Sequence, residues 1–129
     1  MKKLKTKWFT KWAKKQKLSN ERLLLAIDDM QNNLSSANLG GGLYKVRVSL
    51  EHSGKSSAYR TIVVYKKNDS AVMVYGFMKK EQDSLSASEL KNFKTLSKDI
   101  LALSDEALKN AIEKKVFVEI GEENEKKNK

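Results

Sequence analysis

The stretch GGGLYKVRVSLEHSGKSSAYRTIVVY, residues 40–65, contains two strand-like runs on either side of a loop rich in Gly, Ser and Lys. The first run alternates, so that one face is apolar and the other carries Lys45 and Arg47. The second run begins with Arg60 and is largely apolar on both faces. The pattern predicts paired antiparallel strands, in which the first strand has one core face and one cationic face.

A third strand-like run, AVMVYGFMKK at residues 71–80, follows the turn sequence KNDS and is again apolar on both faces. Three strands joined by two turn-rich connections predict an antiparallel meander. Strands that are apolar on both faces are typical of central positions, covered on each side by helices or loops.

Helical patterns precede the meander. Residues 2–17 contain eight lysines with Trp8, Phe9 and Trp12 between them, and Ser19 is a candidate N-cap for an amphipathic helix that should end near Asn33. The following SSANLGGG interrupts this pattern, and we expect neither helix nor strand there. The residues KLKT near the N-terminus are a candidate edge strand.

Further helical patterns follow the meander. Ser86 and Glu89 form a capping-box pattern that opens a helix, and Ser104 is expected to cap a shorter helix ending near Lys115. The residues VFVEI then have the β-branched content of a strand. The order of elements predicts an α+β fold, with an antiparallel meander, N-terminal helices packed on it and C-terminal helices.

The length of 129 residues suits one domain, which we place at residues 1–120. The remaining residues 121–129, GEENEKKNK, offer nothing to bury, so we expect a disordered polar tail. Neither a membrane-spanning segment nor a secretory signal is recognisable, which favours a cytoplasmic location.

The charge balance indicates the class of partner. A formal net charge of +10 and a pI near 9.7 give a surface that attracts polyanions. Nucleic acid is the leading candidate, ahead of an anionic membrane or an acidic protein. The absence of cysteine and the single histidine exclude disulfides, thiolate metal sites and histidine clusters.

The aromatic residues near the N-terminus allow two interpretations. Trp8 and Trp12 are four residues apart and would share one helix face. That face either docks on the core, as large aromatic side chains usually do, or presents tryptophan among lysines for stacking on nucleic-acid bases.

The cations around the meander suggest phosphate chemistry. Lys45, Arg47 and Arg60 would lie near Lys79 and Lys80 on one surface, where fixed cations can stabilise the charge that develops in phosphoryl transfer. The same surface could instead only bind phosphates. Glu81, next to this group, could be a base or could hold an arginine in place.

Several segments together resemble the RelE-like toxins of type II toxin–antitoxin systems, in the RelE/ParE and HigB-like superfamily. They are FTKWAKKQKLSNERL, ANLGGGLYKVRV, SGKSSAYRTIVVY, VYGFMKKEQDSLSASELKNFKTLSKDIL and the final VEI, and they span nearly all of residues 4–120. The resemblance implies a small antiparallel sheet with N-terminal helices. It also implies messenger RNA cleavage in the ribosomal A site, by attack of a 2′-hydroxyl on the adjacent phosphate without a metal or other cofactor.

The resemblance also implies roles for individual residues. Arg60 matches the arginine that contacts the scissile phosphate, and Arg47 would be a second charge stabiliser. Lys45 or Lys79 would transfer protons, with Glu81 as a weaker candidate. Lys79 and Lys80 stand where several relatives have His or Tyr. The remaining expected RNA contacts are Lys55, Lys80 and Tyr59, and Tyr59 has a place in the core as its alternative.

Family resemblance implies partners as well. These are the ribosome, messenger RNA and an antitoxin encoded nearby, often with a helix-turn-helix domain. Two alternatives belong to other functional classes. The first is a poison of DNA gyrase on the same fold, which the basic residues disfavour because such members commonly lack them. The second is a noncatalytic nucleic-acid-binding protein, whose binding would depend steeply on salt.

Overall fold

The computed structural model describes residues 1–49 and 59–121, which form one six-stranded sheet with helices on both faces. Most of the predicted tail, residues 122–129, lies outside the described residues. In chain order the elements are β1 (Lys2–Thr6), α1 (Lys7–Lys15), α2 (Asn20–Gln31), β2 (Ser36–Gly40), β3 (Leu43–Val48), β4 (Tyr59–Lys66), β5 (Ser70–Met78), α3 (Ala87–Leu101), α4 (Asp105–Glu113) and β6 (Phe117–Glu119).

The sheet has the strand order β2-β3-β4-β5-β1-β6. Strands β2 to β5 are antiparallel neighbours, β1 runs parallel to β5, and β6 runs antiparallel to β1. The predicted α+β fold with an antiparallel meander is therefore confirmed, and the meander has four strands rather than three.

Strand β2 was not expected, because the residues SSANLGGG have a weak preference for strands. The prediction of neither helix nor strand there was wrong. Its backbone pairs with β3, with Ser36 opposite Val46 and Asn38 opposite Tyr44, and a register shift separates Asn38 from Gly40. The following glycines have φ values of +94°, +65° and +82°, which suit a tight hairpin turn. Pairing with β3 thus outweighs the local preference of these residues.

Strand β1 contains the predicted KLKT segment, but it is not an edge strand. It lies between β5 and β6, with Leu4 opposite both Val72 and Glu119. The C-terminal strand β6, which the VFVEI pattern predicted, covers its outer side and is itself the edge.

The apolar side chains form two cores, one on each face of the sheet. Helices α1 and α2 pack on the first face, whereas α3 and α4 pack on the second. This confirms that β4 and β5 are covered on both faces. The second face of β3 is only partly cationic, since Leu43 is fully buried there and the charges begin at Lys45. The buried apolar helix residues are Phe9, Ala13, Leu23, Ala26, Ile27 and Met30 on the first face, and Ile100 and Leu108 on the second.

Side chains at the helix starts satisfy backbone N–H groups, as the sequence predicted. Ser19 and Ser104 accept hydrogen bonds from the third residue of their helices, and Ser86 forms a complete capping box with Glu89. Helix α2 ends at Gln31, two residues before the predicted end near Asn33. These caps fix where the helices begin on the sheet.

Replacing Ser86 by alanine is expected to lower the free energy of unfolding by about 1 kcal/mol, because the N–H of Glu89 loses its acceptor. Urea unfolding would measure this. Asn92→Ala, at an exposed position of the same helix, is the control and should cause no loss, because alanine is the better helix former. Equal stability of Ser86→Ala and the wild type would contradict the role of the cap.

Candidate active site

The charged strand residues meet at one end of the sheet. Arg47 lies directly opposite Arg60, Arg60 lies opposite Phe77, and Lys45 lies opposite Ile62. Alternation along the strands places Lys45, Arg47 and Arg60 on the face that α3 covers elsewhere. The structure therefore brings together three of the predicted catalytic residues.

These three cations line a cleft of about 300 Å³, together with Ser35, Ser36 and Ala37. We call this the cationic cleft. Strand β2 forms its rim, since Ala37 pairs with Lys45 and the N–H of Arg47 donates to the carbonyl of Ser35 at 3.0 Å. The unexpected strand β2 thus gives the cleft one of its walls.

Two guanidinium nitrogens at the cationic cleft are buried and lack partners among the described residues, namely Nε of Arg47 and Nη1 of Arg60. Burial, and then the charge of Arg47, lower the pKa of Arg60 from its ordinary value. Both observations mean that the two arginines are held close together with unused donors. An oxyanion would satisfy those donors and offset the repulsion between the two charges.

Lys79, Lys80 and Glu81 lie in the turn directly after β5, and all three are exposed. The N–H groups of Glu81 and Gln82 both donate to the carbonyl of Met78 at 3.0 Å, which fixes the start of this turn. Met78 pairs with the first residue of β4, so the turn lies at the same end of the sheet as Arg60. None of the three is among the described residues that line the cationic cleft.

Tyr59 lies in the core, on the face opposite Arg60. It is 5% exposed, its hydroxyl donates to Oε1 of Gln16 at 3.0 Å, and its ring meets Trp12 edge-on at 5.5 Å. Of the two alternatives for Tyr59, RNA stacking and a place in the core, this burial matches the core. Lys55, another expected RNA contact, lies outside the described residues.

Glu89 has a role that the sequence did not indicate beyond its capping box. Its carboxylate accepts from the Tyr75 hydroxyl at 3.4 Å, from Gln82 Nε2 at 3.0 Å and from the N–H of Ser86 at 2.9 Å. The turn after β5, which holds Lys79 to Glu81, is thereby tied to α3. Tyr75 reaches Glu89 because a register shift in β5 leaves Val74 unpaired and turns Tyr75 toward α3.

Burial raises the pKa of Tyr75, and the charge of Glu89 and its hydrogen bond add to the effect. Glu89→Gln is therefore expected to lower the pKa of Tyr75 toward its ordinary value of about 10 without restoring it fully. Tyrosinate absorbance of the variant, with Tyr75→Phe subtracted to isolate this residue, would measure the change.

The sign of the linked stability follows from the direction of this shift. A group whose pKa is raised in the folded state contributes its full stabilisation below its unfolded-state pKa, here about 10. This contribution is lost as the pH rises through the pKa of the folded state. As the pH rises above about 10, the free energy of unfolding should therefore fall further for wild type than for Tyr75→Phe. Identical alkaline profiles of the two proteins would contradict the assignment.

The N-terminal aromatic residues divide between the two interpretations. Phe9 is fully buried, and Trp12 is half-buried with its ring against Gly76. Trp8 is 47% exposed, and its ring stacks on Tyr75 with centroids 4.9 Å apart. Core docking therefore describes Phe9 and Trp12, whereas Trp8 is available at the surface.

Helix α3 carries a row of exposed lysines that sequence reasoning did not select. Lys91, Lys94 and Lys98 have the spacing of one helix face and line a groove of about 460 Å³ with Leu90. A methyl group placed on Gly40 would lie 3.5 Å from Nζ of Lys94, so this row approaches the last residue of β2. The spacing of three and four residues between these lysines is the sequence pattern that could have identified them as one exposed row.

Across residues 1–49 and 59–121, no group of three or more His, Cys, Asp or Glu side chains is arranged to hold a metal ion. Over the same residues, no helix has the length and apolar character needed to cross a membrane.

Comparison with known proteins finds a match to a protein-family model. The family model described as "RelE toxin of RelE / RelB toxin-antitoxin system" matches residues 1–120. No curated protein is significantly similar to the chain. The match spans β1 to β6 and includes every residue of the cationic cleft.

Proposed function

The chain belongs to the RelE family of toxins from toxin–antitoxin systems, and we propose that it is an endoribonuclease that cleaves messenger RNA at the ribosome. Cleavage would stop translation and growth. We place this activity in the domain of residues 1–120 and in the cytoplasm.

The observation that carries this proposal is the cationic cleft. Arg47 and Arg60 face each other across β3 and β4, and each has a buried donor without a partner among the described residues. A phosphodiester carries its negative charge on two nonbridging oxygens, and this charge increases as a nucleophile adds. Preorganised donors directed at those oxygens stabilise the transition state more than the ground state.

The proposed reaction uses only the RNA and side chains of this chain. The 2′-oxygen forms a bond to the adjacent phosphorus, and the bond from phosphorus to the 5′-oxygen breaks. One proton leaves the 2′-hydroxyl, and another reaches the departing 5′-oxygen. The products are a 2′,3′-cyclic phosphate and a 5′-hydroxyl, and no oxidant, reductant or metal enters the balance.

Lys45 is the favoured candidate for proton transfer, because it is half-buried and lines the cleft beside Arg47. Lys79 is the second candidate, since its turn is held at the same end of the sheet, and Glu81 is the third. In this proposal Lys80 and Lys55 contact the RNA backbone. Geometry favours Lys45 because a proton donor or acceptor must come within hydrogen-bond distance of the reacting oxygen.

Family membership implies a cognate antitoxin as partner. We propose that the antitoxin is encoded next to this chain and carries a helix-turn-helix domain. A formal net charge of +10 favours an acidic segment of that partner on the basic surface. Such a segment would occupy the cationic cleft or hold the toxin away from the ribosome.

The test is induction of the wild-type chain and of Arg60→Ala in a bacterial host, with growth and primer extension on an abundant message followed together. Wild type should arrest growth and leave discrete cuts in translated messages, and Arg60→Ala should leave neither. Lys109→Ala removes an exposed cation of α4 and should behave as wild type. Growth arrest without cuts would overturn the proposal in favour of a gyrase poison or a noncatalytic binder.

A further inference from the structure

Trp8 is a large exposed aromatic side chain on a helix rich in lysine. Trp8 is 47% exposed, although Trp12 and Tyr75, the two residues whose rings neighbour it, are half-buried. Exposing a tryptophan forgoes the favourable burial of a large apolar surface. A ligand that covers the ring would recover that free energy.

The Trp8 ring is held in one orientation rather than left free to rotate. It stacks on Tyr75 at 4.9 Å and lies nearly parallel to Trp12, with an angle of 11° between the planes. Tyr75 is itself fixed by Phe93, at 5.0 Å, and by its hydrogen bond to Glu89. A ring held in place in this way loses little conformational entropy when a ligand stacks on it.

The surroundings of Trp8 favour a polyanion over an apolar protein segment. Helix α1 has no acidic residue, and Lys11 and Lys15 lie three and seven residues after Trp8, on the same side of the helix. Both lysines are exposed. Aromatic rings beside lysines are how proteins bind single-stranded nucleic acid, through base stacking and phosphate contacts.

A continuous series of side chains joins Trp8 to the cationic cleft. Arg60 lies opposite Phe77, Phe77 contacts Tyr75 at 6.0 Å, and Tyr75 contacts Trp8 at 4.9 Å. With a strand spacing of about 4.8 Å for the first step, this path from Arg60 to Trp8 is at most roughly 16 Å long, which is within the length of a short oligonucleotide.

We propose that Trp8, flanked by Lys11 and Lys15, is a stacking site for an unpaired RNA base outside the cationic cleft. The inference rests on the proposed function in taking RNA as the ligand. It adds a binding site that contributes affinity without contacting the scissile phosphate.

The test measures binding of a single-stranded 2′-O-methyl RNA oligonucleotide, which cannot undergo attack by its 2′-oxygen. Trp8→Ala should weaken binding about 5- to 100-fold, as expected for the loss of one stacked base, and Trp8→Phe should restore most of it. Leu25→Ala is the matched control, because Leu25 is 55% exposed on α2, and it should bind as wild type. Equal unfolding midpoints would show that all variants are folded.

Fluorescence provides a second measurement, since Trp8 and Trp12 are the two tryptophans of the sequence. The oligonucleotide should quench wild type and Arg60→Ala but should hardly quench Trp8→Phe. Unchanged affinity in Trp8→Ala, or full quenching in Trp8→Phe, would overturn the stacking site. Unchanged RNA affinity with weaker antitoxin binding would assign the surface to a protein interface instead. If wild type cleaves RNA but the oligonucleotide does not quench its fluorescence, only the stacking site is refuted. If the oligonucleotide quenches wild type but wild type does not cleave RNA, only the proposed nuclease is refuted.

Discussion

Arg60→Ala is expected to lower the rate of RNA cleavage by about 10²- to 10³-fold, the usual loss when one preorganised donor to a developing oxyanion is removed. Arg60 lies opposite Arg47, and its Nη1 is buried with no hydrogen-bond partner among the described residues. The measurement is the cleavage rate of a message on programmed ribosomes under single-turnover conditions.

Two variants make this prediction specific. Arg60→Lys keeps a positive charge but loses the planar pair of donors, so its rate should lie between those of alanine and wild type. Lys109→Ala should cleave at the wild-type rate. If Arg60→Ala cleaved as fast as Lys109→Ala, the cationic cleft would not be the site of reaction.

Gly76→Ala is expected to lower the free energy of unfolding by about 3 kcal/mol, the upper end of the usual cost of overpacking. A methyl group on Gly76 would overlap three atoms of the Trp12 ring, Cε3, Cζ3 and Cη2. The ring is rigid and is held between Phe9, at 5.4 Å, and Tyr59, at 5.5 Å, so α1 would have to move away from β5. Urea unfolding measures the loss.

A double variant isolates the cause. In the Trp12→Leu background the overlap is removed, so Gly76→Ala should cost much less there than in wild type. Gly41→Ala is a second comparison: no atom lies within 4 Å of the added methyl, and only the φ of +65° opposes it. An equal cost of Gly76→Ala in both backgrounds would contradict the role of the Trp12 ring.

The parts of the fold that the sequence predicted are those with a local signal. Alternation is a property of each strand alone, so β3, β4 and β5 were recognisable, and the serine N-caps marked the helix starts. Strand β2 was missed because Ser36, Ala37 and Asn38 have little strand preference of their own. It forms because β3 offers an unpaired edge next to it.

The residues of the candidate site likewise include some that a local sequence pattern could place and others that it could not. Arg47 and Arg60 could be placed together because a hairpin brings the ends of its two strands into register. The sequence left Tyr59 with two alternatives, RNA stacking and the core, because the choice depends on where α1 and Gln16 lie. The contact between Tyr75 and Glu89 likewise depends on the unpaired Val74, which no sequence pattern predicts.

In the proposed mechanism, the cationic cleft promotes attack of a 2′-hydroxyl on the adjacent phosphate. The most direct measurement compares a message with the same message carrying a single 2′-deoxynucleotide on the 5′ side of a mapped cut. We predict that the deoxy message is not cut at that position, and that the ordinary message yields a 2′,3′-cyclic phosphate and a 5′-hydroxyl. Cutting of the deoxy message at the same position, or a 5′-phosphate product, would contradict the mechanism.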